Sequence, residues 1–191
     1  MTSPRPEDAE VSPYTQVLGR QLQQLAPVLA RLHSQGETRL TGTLHVRGAT
    51  TVAARFLLWL SRIPRLKSQA ACACSVAIVA CGGGEAWHRR FGDQSLFSRQ
   101  DAKNGNMIIE RVGRFSLHLH LRVRHRQLWI RSSVTKLCGL RLPAIFGIKV
   151  TAQERAISPD SFRCSVRVRS PLLGALLSYS GVLRLEKTSV S

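Results

Sequence analysis

Negative charge is scarce in this sequence. Eleven Asp and Glu stand against 28 Lys and Arg in 191 residues, a formal net charge of +17. Three of the eleven, Glu7, Asp8 and Glu10, lie close together near the N-terminus, so acid–base chemistry elsewhere would rest on few carboxylates. Long apolar runs are missing as well: no stretch approaches the ~18 residues that a membrane-spanning helix needs. The first ten residues are acidic and hold no apolar segment, which argues against a secretory signal peptide. No G-x-G-x-x-G follows a strand, and no G-x-S-x-G or Walker loop is present. Those absences disfavour dinucleotide binding by this chain and hydrolysis or phosphoryl transfer on those templates. A non-catalytic role without a cofactor is expected.

Cysteines are few and odd in number. Cys72, Cys74, Cys81, Cys138 and Cys164 cannot all pair within the chain, so free thiols and a reducing cytoplasm are expected. Cys72-Ala-Cys74 with Cys81 and His88 matches no usual zinc spacing, and the neighbours are Ala, Val and Ile. These cysteines read as small buried hydrophobes, and no metal site is expected.

What is present is a 43% apolar chain of one-domain length. Of its 28 basic residues 23 are Arg, scattered from Arg5 to Arg184 without a run of five. Dispersed charge suits an anionic surface or partner better than one dedicated nucleic-acid-reading element. Residues 1–12 read as a polar leader, followed by a single domain over 13–187. Ser12-Pro13 starts a helix, and Leu18, Leu22, Leu25, Leu29 and Leu32 form one helical stripe that Pro27 interrupts. A strand is expected over about 40–47 and a second helical segment over about 51–63, capped by Thr50 or Thr51 and stopped by Pro64. That helix is apolar almost all round, through Phe56-Leu57-Leu58-Trp59-Leu60, which suits burial on two sides better than a membrane surface.

From about 72 to 186 the period becomes two. Phe115, Leu117, Leu119, Leu121 and Val123 alternate with Ser116, His118, His120, Arg122 and Arg124; Phe162, Cys164, Val166 and Val168 alternate with Arg163, Ser165, Arg167 and Arg169. Such alternation marks antiparallel strands with one dry face and one wet face. Recurrent Gly, Asn, Asp and Pro turns space eight to ten strands. The expected class is α+β: N-terminal helices packed on an antiparallel β-meander that forms a barrel or strongly curled sheet.

Parity selects the candidate site. Arg89 shares its face with Trp87 and Phe91, Glu154 shares its face with Val150 and Ala152, and Glu110 lies between Ile108 and Val112. A charge on an apolar face is costly unless paired, so Arg89 should meet Glu154 or Glu110 inside. Tyr179, on another apolar face, could add a hydroxyl. This set either fixes register or anchors a polar ligand group at the bottom of an apolar pocket. His118, His120, Arg122 and Arg124 form an outward basic row, and Arg163, Arg167 and Arg169 form a second. On neighbouring strands the two rows would make an anion-binding patch for nucleic acid, acidic lipid or protein. Guanidinium groups beside His118 and His120 oppose a metal there.

The spaced residues Trp87-His88-Arg89-Arg90-Phe91-Gly92, Glu110-Arg111-Val112-Gly113, Gly139 to Pro143, Thr151 to Glu154, Pro171 to Gly174 and Tyr179 to Leu183 follow one another in a set order. With Leu25-Ala26-Pro27 and Leu32-His33 before them, they resemble a bacterial domain of unknown function, over about residues 14–185. In that family the domain stands alone or lies behind a saccharopine-dehydrogenase-like, NAD(P)-binding domain. The resemblance implies a bacterial protein beside an NAD(P)-dependent oxidoreductase partner and carries no activity over. The leading expectation is an accessory domain holding an apolar or amphipathic small molecule in a barrel pocket. An anion-binding interaction module comes next, then an enzyme with an Arg89/Glu154 site.

Overall fold

The computed structural model describes residues 11–103 and 107–186, so most of the expected leader and the turn at 104–106 lie outside the described residues. The chain opens with α1 (Pro13–Leu18), a 3-10 segment (Gly19–Gln24) and α2 (Pro27–Ser34). Ser12 caps α1, its Oγ accepting from the Tyr14 amide at 3.3 Å, and Pro13 occupies the first turn, where no amide donor is needed. Pro27 then starts α2. All five leucines of the helical stripe are buried. The Ala26 amide donates to the Arg126 carbonyl at 3.1 Å, tying the break between the helical segments to the body of the fold.

The strands are β1 (Glu37–Gly48), β2 (Gln69–Cys81), β3 (Gly84–Phe91), β4 (Gln94–Lys103), β5 (Met107–Val112), β6 (Phe115–Arg124), β7 (Gln127–Leu137), β8 (Leu140–Arg141), β9 (Lys149–Ala156), β10 (Ser161–Ser170) and β11 (Gly174–Leu185). Between β1 and β2 lies α3 (Val52–Leu60), with the Thr51 hydroxyl accepting from the Ala54 amide at 3.2 Å. All pairings are antiparallel. Ten strands run in the order β6-β5-β4-β3-β2-β1-β11-β10-β9-β7, and β7 returns to β6, so the sheet closes; β8 is a short flap on β7. The molecule is therefore mostly β, a closed ten-stranded barrel with a few short helices, rather than a balanced α+β domain. The strand period dominates because inward positions on every strand bury on the same interior. Expected boundaries move by a few residues: β1 extends to 37–48, β2 begins at Gln69, and α3 ends at Leu60, three residues before the position expected from Pro64.

Two local devices close the barrel. Gly42 and Gly181 lie diagonally across the β1–β11 ladder, and a Cβ on either would strike a backbone carbonyl of the other strand (Val182 and Thr43). Without side chains the two strands can coil tightly there. At the β7–β9 seam only Leu128 to Arg131 pair directly. Beyond them β7 bulges at Ser133 against its other neighbour, β6, and on the β9 side hydroxyls replace the ladder. Ser132 Oγ accepts from the Val150 amide at 2.8 Å, and Thr135 Oγ1 accepts from the Ile148 amide at 2.9 Å.

The interior is lined mainly by apolar side chains and most charged ones face outward, the reverse of the polarity a membrane-spanning barrel requires. No helix among the described residues is long and apolar enough to cross a membrane. The two ends are covered differently. At one, α1, the 3-10 segment and α2 pack over β4, β5, β6, β9 and β10. At the other, α3 packs on β11, and the Arg114 amide donates to the Ser61 carbonyl at 2.9 Å, fastening the helix's C-terminal end to the β5–β6 turn.

Candidate functional site

The barrel encloses a cavity of about 140 Å³, walled mainly by Leu, Val, Ile and Phe from all around the sheet. Arg89, on β3, projects into it. Its Nη1 donates to Ser98 Oγ at 2.7 Å, its Nη2 donates to Glu110 Oε1 at 3.2 Å, and its guanidinium lies 4.8 Å from the centroid of the Trp87 ring. Ser98 Oγ donates to the same Glu110 oxygen at 2.8 Å, and Gln100 Nε2 donates to it at 3.2 Å. One carboxylate oxygen thus receives three donors. The register explains the gathering: Ser98 pairs with Trp87 and Gln100 with Glu110, which brings inward positions of β3, β4 and β5 together. Burial alone would lower the Arg89 pKa, but Tyr179, Glu110 and Tyr14 more than offset it, so the cation is held. Tyr179 lines the same cavity, its ring 5.2 Å from that of Phe91, and burial raises its phenol pKa against the opposing effect of Arg89.

Glu154 has a different partner. His33, fully buried on α2, lies with Nε2 at 2.7 Å from Glu154 Oε2. The imidazole stacks on Tyr14 at 4.0 Å between centroids, and Trp87 lies 6.5 Å from it. Trp87 Nε1 donates to Glu85 Oε2 at 3.1 Å. Burial raises the Glu85 pKa, opposed by hydrogen bonds from Ser12 and Trp87 and by nearby His33. Burial likewise raises the Tyr14 phenol well above its usual value, with Glu154 adding to the effect. The helical plug is therefore joined to the barrel by a polar layer, and Glu154 and Tyr14 present that layer to the cavity.

Of the two alternatives for Arg89, the structure takes Glu110; Glu154 is engaged by α2. Trp87, Phe91 and Tyr179 all border the same space. The outer rows do not combine as expected. β6 and β10 are separated by β7 and β9, which puts Arg122 and Arg124 roughly 14 Å across the sheet from Arg163, at ~4.8 Å per strand. His118 is buried, and burial with Lys103 nearby lowers its pKa; His120 bonds Ser133 Oγ at 2.8 Å. Arg167 and Arg169 lie on β10 beyond the same two intervening strands. Among the described residues no group of three or more His, Cys, Asp or Glu is arranged to hold a metal ion.

A family profile described as Domain of unknown function (DUF4166) matches residues 25–183. The chain belongs to this family. No curated protein and no solved structure matches it. The match begins at Leu25 and ends within β11, so the DUF4166 segment takes in α2, α3 and the strands as far as Leu183, while α1 and the 3-10 segment, which bring Tyr14 to His33, precede it.

Parity on the neighbouring strands pointed to more of this DUF4166 site than was read from it. Ser98 and Gln100 share the face of Leu96, and Glu85 shares the face of Trp87 and Arg89. His33 and Tyr14 carry no such signal, because a helix gives no register against the sheet.

Proposed function

We propose that the barrel binds one small, mostly apolar, uncharged molecule bearing a hydroxyl or amide donor. The observation that carries this reading is the mostly apolar cavity of about 140 Å³, whose polar lining is the bonded group Arg89, Gln100 and Glu110 together with Tyr14, Tyr179 and Glu154. A dry cavity of about 150 Å³ is known to take a benzene-sized guest. The wall sets the polarity of the guest. Arg89 is already neutralised by Glu110, and Glu154 stands near, so a carboxylate would meet as much repulsion as attraction. Gln100 Oε1 is buried without a hydrogen-bond partner, and a ligand donor would remove that cost.

An accessory role fits this reading better than catalysis, since the site offers no activated nucleophile. The oxidoreductase partner implied by the sequence resemblance would then receive or supply the ligand.

Calorimetric titration with short n-alkanols and the carboxylic acids of equal length tests the reading. The alkanols should bind with affinity rising with chain length until the cavity is full, and the acids should bind more weakly. Ala152→Phe, which fills the cavity from β9, should abolish binding. Absence of alkanol binding, or equal binding by the filled variant, would refute the proposal.

A further inference from the structure

We infer that the α3 end of the barrel is a docking surface for an anionic lipid bilayer. Strand direction gathers five connections at that end, three of which are rich in apolar residues: 49–68 after β1, 138–148 after β7 and 171–173 after β10. Each of these three thrusts apolar side chains into solvent. Phe56, Trp59, Leu140, Ile145, Phe146 and Leu172 are 52–75% exposed. On α3 the inner face is spent on Ala54 and Leu58, which are buried, while the exposed Phe56 and Trp59 rings lie tilted against each other with centroids 5.7 Å apart. An apolar face turned to water on a helix that already buries its opposite side needs a second apolar phase.

Charge selects which phase. The loops of that end carry exposed Arg55, Arg62, Arg65, Lys67 and Arg141, with Arg114 on the β5–β6 turn, and Asp93, on the β3–β4 turn, is their one carboxylate. Exposed carboxylates collect at the opposite end, where Glu37 and Glu186 lie. A rim of long cationic side chains around apolar tips is the arrangement that lets hydrocarbon enter the interface while the charges meet lipid phosphates. A second copy of the chain would oppose like charges across this face. A nucleic acid would leave the aliphatic tips Leu140, Ile145 and Leu172 without an apolar partner. Leu58 of the same helix lines the cavity, so docking sets the bilayer one helix away from the barrel interior.

Vesicle flotation tests this, using phosphatidylcholine alone and phosphatidylcholine mixed with phosphatidylglycerol, at low and high salt. The protein should float with the anionic vesicles only, and salt should weaken the binding. Trp59 emission should shift to the blue on binding, since Trp87 is already buried and Trp129 half-buried. R55Q/R62Q/R65Q should weaken partitioning by about two orders of magnitude, at about a factor of five per charge. F56S/W59S should weaken it by at least about tenfold, as expected from the lost apolar area. R122Q/R163Q removes two charges from the barrel wall, away from this end, and should have little effect. The inference is overturned by failure of the wild type to float, by an equal loss in R122Q/R163Q, by unchanged binding of F56S/W59S, or by dimerisation through this face.

Discussion

Arg89 and Glu110 meet at 3.2 Å over the inner face of β4, with side chains 11% and 14% exposed, although one lies on β3 and the other on β5. The strand between them contributes Ser98, which bonds to both. Breaking such a pair by removing one partner leaves a buried charge unmatched. Glu110→Met should therefore cost about 3–5 kcal/mol in urea denaturation, while the double variant R89M/E110M should recover most of that loss. Equal losses in the single and double variants would show that the pair does not act as a unit.

Glu85 gives a pH dependence with a definite sign. Its pKa in the fold is raised, chiefly by burial, so folding favours the protonated form. The stability this contributes is complete below the ordinary carboxyl value of about 4.5 and is lost as pH rises through the raised value. Glu85→Gln keeps an oxygen acceptor for the Trp87 indole and removes the titration. The variant should match the wild type near pH 4 and become the more stable of the two by pH 7. A difference that stays constant over that range would contradict the assignment.

Thiol reactivity should divide by position. Cys138 is exposed and Cys81 half-buried, whereas Cys72, Cys74 and Cys164 are buried and all five are free. Desolvation pushes the Cys74 thiol up to about 11 and Cys164 up to about 12, which keeps both protonated and inert at neutral pH. Titration of the native protein with a chromogenic disulfide should show one fast thiol, one slower one, and three more only after denaturation. Five fast thiols would mean that the barrel opens readily.

Much of the barrel was legible as alternation. The inward set Phe115 to Val123 and the outward set Ser116 to Arg124 follow directly from a period of two, as does the inward aim of Arg89, Glu110 and Glu154. Pairing between distant strands was not legible. Nothing local states that β7 skips β8 to reach β9, or that two strands, β7 and β9, lie between Arg122 on β6 and Arg163 on β10. The partner of Glu154 was missed for the same reason: His33 reaches it across 121 residues, from a helix whose docking is decided by the leucine stripe packing on the barrel end. The apolar character of α3 was plain in the sequence. Its outward half, Phe56 and Trp59, became visible only once the inner half was seen to be satisfied by Ala54 and Leu58.

The most direct test of the central claim is native mass spectrometry of gently purified protein, followed by extraction and analysis of any small molecule. The account predicts a neutral, mostly apolar compound at near-stoichiometric level in the wild type and none in Ala152→Phe. A homogeneous wild type that carries no small molecule, and takes none up from a cell extract, would contradict it.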